Sequence, residues 1–349
     1  MNLKKIFFSF LIHIDLLFIL CYNFYMIKDL CFEIIQKCPN NCIFCTSNSN
    51  YQKNNIIDFA TIKRTIDFFM ANGGIKEISL SGGEPLLHPN IIQTIKYCHD
   101  LGIFITLYTS GIIENTSFEQ SDNPHYQKIL DQYNKRKFSE ISLSTLQKLK
   151  QAGLDKIVFD MQASEVDEYN LLMGTNNNFA NLLKSILNVS KFDFETSIHF
   201  VPNKVNINQF RDVVELAELV SIGEVRILKF VPQGRGRENK DTLKLNNEEL
   251  ENFIKDCQKL KPKNTKLKIG IPLQHNNQHK CTAGFDKIDI RFDGQVLPCP
   301  AFKDTKEELF EKHGFKNINI YKNLEDFKFI LSTSRNTPLC EKINDEKFI

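Results

Sequence analysis

Cys38, Cys42 and Cys45 lie close together in the run Cys38-Pro-Asn-Asn-Cys42-Ile-Phe-Cys45. Three thiolates at that spacing can hold three corners of a four-iron cluster and leave the fourth iron without a protein ligand. Electron carriers bind such cubanes through four cysteines, which closes every iron to small molecules. An open iron is a place for chemistry. The competing readings are a zinc site and a set of unrelated core thiols. Zinc usually takes paired C-x2-C ligands, and no second such pair follows Cys45.

A second group stands about forty residues on. Lys76 to Leu80 reads as a short buried strand running into Ser81-Gly82-Gly83-Glu84-Pro85. Gly82 and Gly83 lack the Cβ that would keep a ligand from the main chain, and Glu84 can accept hydrogen bonds from an ammonium group. Gly-Gly-Glu alone is more often an ordinary turn. Its place after the cysteine run, at the end of the next strand, gives it weight.

Together these residues resemble the radical S-adenosylmethionine (radical SAM) superfamily. The spacing C-x3-C-x-aromatic-C, with Phe44 in the aromatic slot, is similar to that family's cluster motif, and Gly82-Gly83-Glu84 resembles its GGE motif. The resemblance implies a [4Fe-4S] cluster on Cys38, Cys42 and Cys45, with the amino and carboxylate groups of SAM on the open iron. It also implies that Gly82, Gly83 and Glu84 position SAM, and that Asp160, Gln162 and Asn206, at later strand ends, supply polar contacts to its ribose and carboxylate. Two positions depart from the family pattern. Ser110 stands where many relatives have the asparagine of Thr-Asn-Gly, and Leu171 lies where many have an arginine for the SAM carboxylate. Arg226, Lys229 and Arg235 are the candidates to replace that arginine, while Arg235 and Arg237 are equally suited to an anionic substrate or to a plain exposed loop.

These groups need elements to carry them. Apolar strand-like runs at 30–37, 76–81, 104–109, 156–162, 194–201 and 224–231 alternate with amphipathic helical runs, the pattern of a parallel α/β barrel or doubly wound sheet. One helix spans 59–72, with Asp58 as N-cap and Gly73-Gly74 as stop; another spans 144–152 and ends at Gly153. Six such units resemble the partial (β/α)6 barrel of the radical SAM superfamily, whose chemistry gathers at the C-terminal strand ends. The stretch 112–143 is longer than a βα loop needs, polar and then basic and aromatic. It reads as an inserted helix over the barrel mouth or as a solvated excursion.

After residue 262 the pattern changes. Lys266 to Ile271 is followed by Cys281, an alternating strand from Lys287, the turn Asp293-Gly294, and Val296-Leu-Pro-Cys299, which together predict a β-hairpin flanked by cysteines. With Cys340 further on, C-x12-G-x4-C resembles the SPASM or twitch domains appended to many radical SAM enzymes. That likeness implies one auxiliary iron–sulfur cluster, expected to be [4Fe-4S], on Cys281, Cys299 and Cys340. Its fourth ligand is open among His275, His279, an acidic residue or substrate, and zinc or structural thiols compete. The expected division is an apolar extension at 1–25, a radical SAM partial barrel at 26–262 and an auxiliary cluster domain at 263–349.

The 349 residues are 42% hydrophobic and 25% charged, enough for one large domain plus a smaller one and too apolar for disorder. The net charge of +2 gives no electrostatic reason to expect a nucleic-acid partner. Six of the ten cysteines fall in the two groups of three, in a chain too large to need disulfide staples, so a reducing, cytoplasmic setting is expected. Cys21, Cys31, Cys98 and Cys257 read as small buried hydrophobes. Ile6 to Tyr25 has the outline of a signal peptide or membrane anchor, but His13 and Asp15 interrupt it, and a charge in mid-span costs ~3 kcal/mol. A dispensable extension is favoured, with membrane contact through 6–25 the alternative.

The resemblance implies reductive cleavage of SAM to a 5′-deoxyadenosyl radical that takes hydrogen from a substrate, driven by a low-potential reductant of the flavodoxin or ferredoxin type. The twitch likeness points to modification of a ribosomally made peptide, although no separate leader-binding unit stands out. The alternatives are cofactor biosynthesis in a pterin or haem pathway, and a non-enzymatic iron–sulfur or zinc protein for electron transfer or regulation.

Overall fold

The computed structural model describes residues 26–115, 120–270, 273, 282–304, 307–312 and 315–327, without the side chains of 133, 134, 307, 309 and 310. Its strands are β1 (Ile27–Ile35), β2 (Ile75–Gly82), β3 (Phe104–Thr109), β4 (Ile112–Glu114), β5 (Phe138–Glu140), β6 (Lys156–Asp160), β7 (Glu195–Phe200), β8 (Glu224–Ile227), β9 (Lys266–Ile269), β10 (Lys287–Ile290), β11 (Gln295–Leu297) and β12 (Ile318–Asn319). All six strands expected from the sequence form, as β1, β2, β3, β6, β7 and β8, and each pairs in parallel with the next. The expected parallel α/β architecture is therefore present, in a ten-stranded sheet ordered β12-β11-β10-β1-β2-β3-β6-β7-β8-β9.

The helices form where their sequences provide caps and stripes. Asp58 accepts from the Thr61 amide at 2.9 Å to start the helix Phe59–Ala71, which buries Ile62, Ile66 and Phe69 on one face. Ser142 does the same for Leu143–Gln151 through the Thr145 amide at 3.1 Å. The stretch 112–143 contains a largely exposed helix, Pro124–Asn134, and an antiparallel ribbon of β4 and β5.

Two segments read as parts of the C-terminal unit join the barrel sheet itself. β9 lies parallel to β8 at one end of the sheet, and β10 lies parallel to β1 near the other, from Asp29 opposite Lys287 to Phe32 opposite Ile290. The expected hairpin forms, with β11 antiparallel to β10 and Gly294 in the turn at φ 83°. Four-residue strands carry too little pattern to name their partners, so only the pairing places them.

The faces of the sheet differ in chemistry. Leu30, Phe32, Ile34, Ile78, Leu80, Ile105, Leu107, Ile157, Phe159, Ile198 and Phe200 alternate along the strands and are buried in the main core. The intervening positions are polar: Asp29, Cys31 and Glu33 on β1, Ser79 on β2, Thr106 and Tyr108 on β3, His199 on β7, Arg226 on β8 and Asp289 on β10. These meet one another across strands. Lys287 pairs with Asp29, Thr106 donates to Glu77 at 2.9 Å, and the Tyr108 and His199 rings stand edge to face at 5.2 Å. Cys31 belongs to this polar face, beside Asp289, rather than to an apolar core; Cys98 and Cys257 are buried as expected. Among the described residues no helix is long and apolar enough to cross a membrane; residues 1–25 lie outside them.

Candidate active site at the cluster loop

β1 ends at Ile35 and delivers the chain into the cysteine loop at the C-terminal edge of the parallel strands. The loop is held from three sides. Asn41 and Ile43 amides donate to the carbonyls of Met173 at 3.0 Å and Leu172 at 2.9 Å, at the end of the helix Val166–Met173. The Cys38 amide donates to the Asn50 carbonyl at 3.1 Å. Arg235 closes the third side: Nε donates to the Cys42 carbonyl and Nη2 to the Ser49 carbonyl, both at 2.7 Å, while its amide donates to the Cys45 carbonyl at 3.0 Å. A guanidinium spent on backbone carbonyls shapes a loop. Arg235 is therefore a clamp rather than a free cation for the SAM carboxylate.

Cys38 and Cys42 are buried and Cys45 half-buried. Burial pushes the Cys38 and Cys42 thiols well above their ordinary range, with Glu84 adding to the effect on Cys38 and Asp160 on Cys42. Thiolates form in such a place only when a cation compensates them, and bound iron does so. Cys45 Sγ already accepts from the Ser49 amide at 3.4 Å, as a cluster thiolate would. The donor set thus fits an iron–sulfur cluster. Among the described residues no three His, Cys, Asp or Glu side chains converge on a single metal ion; a cubane instead takes one cysteine per iron.

Gly82 and Gly83 meet a packing need besides the one their sequence suggests. A Cβ on Gly82 would stand 2.1 Å from the Ile35 carbonyl oxygen, and one on Gly83 2.2 Å from that of Lys37. The pair lets the end of β2 press against the start of the cysteine loop, with Gly83 N bonded to Ile35 O at 2.6 Å and Glu84 N to Lys37 O at 2.8 Å. Glu84, fully buried, has both carboxylate oxygens in use: Thr109 Oγ1 at 2.8 Å and Leu86 N at 3.1 Å on Oε1, and Ser110 N at 2.7 Å and Ser110 Oγ at 2.6 Å on Oε2. Burial nonetheless raises its pKa to about 7. Ser110 therefore has a definite role, tying β3 to the GGE turn.

Gln162 and Asn206 are likewise engaged by protein groups. Gln162 Oε1 accepts from Val201 N at 2.8 Å and its Nε2 donates to His199 O at 3.1 Å and to Asp160. Asn206 Nδ2 donates to the carbonyls of Gln162 at 2.8 Å and Val201 at 3.1 Å, and its Oδ1 accepts from Asn203 N at 2.8 Å. These two amides staple the ends of β6 and β7. Asp160 differs, since its carboxylate faces the cysteine loop, and burial raises it to about 6. His199 is kept neutral by burial and then by Arg226, which lower it to about 3.

Of the other cations, Arg226 pairs with Glu224 at 2.9 Å and Arg237 with Asp304 at 3.1 Å, whereas Lys229 is exposed and has no ion pair among the described residues. Lys229 lines a cavity of about 150 Å³ with Phe44, Thr46, Val201, Phe230 and Pro300. Cys299 precedes Pro300, so the hairpin's end reaches the cysteine loop; Cys281 and Cys340 lie outside the described residues. Sequence reasoning missed Asn40, Tyr169 and Met173, which line the loop, and the buried group of Glu33, Asp289 and Lys303 beneath it. Only the helical spacing of Tyr169 and Met173 hinted that the two share a face.

The sequence model of the Radical SAM superfamily matches residues 32–217. The PqqA peptide cyclase of Gluconobacter oxydans (strain 621H) is 22% identical over 283 residues, covering 80% of this chain and 71% of that protein. Streptococcus suis SuiB bound to precursor peptide SuiA superposes with a TM-score of 0.59 at 16% identity, over 91% of this chain and 69% of that one. The anSMEcpe structure with AdoMet and the Kp18Cys peptide gives 0.59 at 14% identity, over 91% and 82%. The two structural likenesses concern the fold.

Proposed function

Because this chain belongs to the radical SAM superfamily, we propose that it is a peptide-modifying radical SAM enzyme in which Cys38, Cys42 and Cys45 hold the [4Fe-4S] cluster. Bound there, cluster and SAM together supply reductive cleavage of SAM to methionine and a 5′-deoxyadenosyl radical, which takes hydrogen from substrate. The observation that carries the reading is the loop itself: three thiols, of which burial keeps Cys38 and Cys42 from ionising alone, clamped by Arg235 at the C-terminal edge of a parallel sheet.

The chain's own groups divide the work. Gly82 and Gly83 bring β2 against the loop, so that the main chain there and Asp160 face the SAM amino acid and ribose. Glu84, Gln162 and Asn206 hold the strand ends that present them. Lys229, unpaired among the described residues, is the cation left for the SAM carboxylate. The core under the helices, with Phe44 of the loop packed against it, would keep water from the site. Cys281, Cys299 and Cys340 would carry one auxiliary cluster on the hairpin side, in a twitch-like unit at 263–349. A peptide substrate is supported by the PqqA peptide cyclase, a relative by sequence, and by two proteins of the same fold solved with peptides bound. A low-potential reductant of the flavodoxin or ferredoxin type and a cytoplasmic site of action complete the reading.

The test is anaerobic reconstitution of the full chain, iron and sulfide analysis, and incubation with dithionite and SAM. About eight irons and formation of 5′-deoxyadenosine support two clusters and radical chemistry; about four would remove the auxiliary cluster. Zinc without nucleoside would overturn the proposal.

A further inference from the structure

Two buried hydrogen-bond donors beside the thiols make no well-formed hydrogen bond within the protein. Tyr169, on the helix that holds the cysteine loop, is fully buried, and its hydroxyl has no hydrogen-bond partner. Asn40, between Cys38 and Cys42 in the chain, is 1% exposed; its Oδ1 accepts from Asn178 Nδ2 at 2.8 Å, while its own Nδ2 is unpartnered. Buried polar groups are nearly always satisfied, so an exception calls for a cause. Both orphans lie at one place. The Tyr169 phenol is pushed up first by burial and then by Cys42, Asp160 and Cys38, whereas the Asn40 side chain, close enough to act on the hydroxyl as a weak donor, pulls it the other way. A tyrosine hydroxyl can accept as well as donate, but the amide nitrogen of Asn40 can only donate. The surroundings call for an anionic acceptor at the thiols, and the third sulfur, on Cys45, already receives an N–H bond from Ser49 at 3.4 Å.

We infer that the Tyr169 hydroxyl and the Asn40 side-chain amide donate hydrogen bonds to the sulfur atoms of the cluster held by Cys38, Cys42 and Cys45, and so raise its reduction potential. This rests on the ligand assignment above. Reduction adds one electron from the external reductant and one negative charge to the cluster. Donors aimed at its sulfurs stabilise the reduced state more than the oxidised one, and hydrogen bonds to sulfur are among the levers that set such potentials. Tyr169 and Asn40 are thus tuning residues. The Tyr169 ring packs on Phe179 at 4.9 Å between centroids, so Tyr169→Phe removes the donor and keeps the packing.

The experiment is a redox titration of the reconstituted full chain, followed by electron paramagnetic resonance of the signal that changes on adding SAM. Tyr169→Phe is expected to lower the reduced-to-oxidised ratio at fixed potential about fivefold, the worth of one hydrogen bond. At 59 mV per tenfold this is a downward shift of about 40 mV. Asn40→Ala should shift it in the same direction. In the apo protein Tyr169→Phe should melt no lower than the unaltered chain, because its hydroxyl makes no well-formed hydrogen bond there; a merely structural hydroxyl would show the reverse. Proton coupling to the reduced cluster in the unaltered protein, lost in deuterium oxide, gives a check that needs no variant. An unchanged potential, or no exchangeable coupling, overturns the inference alone. A signal that survives Cys42→Ala overturns the ligand assignment as well.

Discussion

The strand ends around the cysteine loop and the barrel wall beneath them treat buried polar groups in opposite ways. At the ends of β2, β3, β6 and β7, Glu84, Thr109, Ser110, Gln162 and Asn206 bond to one another and to main chain. On the wall between β1 and β10, the buried Asp289 carboxylate meets only the weak donor of the Cys31 thiol and Glu33 Oε2 is buried without a partner, although Lys303 reaches the other Glu33 oxygen. Matched groups hold geometry. Unmatched ones respond to protons and ligands, because the cost of burying them has not been met.

The largest effect expected is on the loop that both regions surround. Cys42→Ala should abolish SAM cleavage, measured as 5′-deoxyadenosine, while Cys299→Ala retains it at least in part. Equal cleavage in the Cys42 variant would sink the assignment.

Glu84→Ala comes next and tests whether the strand ends are scaffolding. Losing a carboxylate that serves four donors should cost about 3 kcal/mol of stability in urea unfolding. A variant with unchanged stability but weakened SAM binding would show that Glu84 is a ligand contact and not a staple.

Asp289 tests the unmatched side. Burial, then the neighbouring Glu33, raises its carboxyl from 3.8 to about 7, with Lys303 and Arg291 pulling the other way and the Cys31 thiol alongside. A carboxyl with a raised folded-state pKa leaves stability intact below about pH 4 and loses it as pH rises through about 7. On account of Asp289 the unaltered protein should therefore lose on the order of 4 kcal/mol over that window, and Asp289→Asn should remove that share while leaving those of Glu84 and Asp160. A profile unchanged by the substitution would mean that this wall is matched after all.

Gln162→Ala and Asn206→Ala sharpen the comparison at its smallest scale. Each should cost about 1–2 kcal/mol, and the pair less than the sum, because both side chains bind the main chain of Val201. Strict additivity would argue against a single staple.

The cysteine run and the GGE turn were legible because a few residue types at short spacing carry their chemistry with them. The six parallel strands were legible because each alternates with a helix of strong period, as Ile62, Ile66 and Phe69 illustrate. Roles at the strand ends were not. Gln162 and Asn206 look like ligand contacts in sequence, but each also has a partner about forty residues away that the sequence does not reveal, Val201 N for Gln162 and the Gln162 carbonyl for Asn206. Arg235 reads as a free cation because nothing nearby in sequence reveals the carbonyls of Cys42 and Ser49.

The sequence by itself determined the loop of thiols, the parallel α/β plan and the hairpin, since local spacing and hydrophobic period suffice for each. Tertiary structure alone decided that β9 and β10 extend the barrel sheet at opposite sides, that the glycines admit a neighbouring strand, and which buried polar atoms find partners. The physical reason is the range of the forces involved: period and turn chemistry act over a few residues, whereas hydrogen bonds and close packing are satisfied by whatever the fold brings within 3 Å.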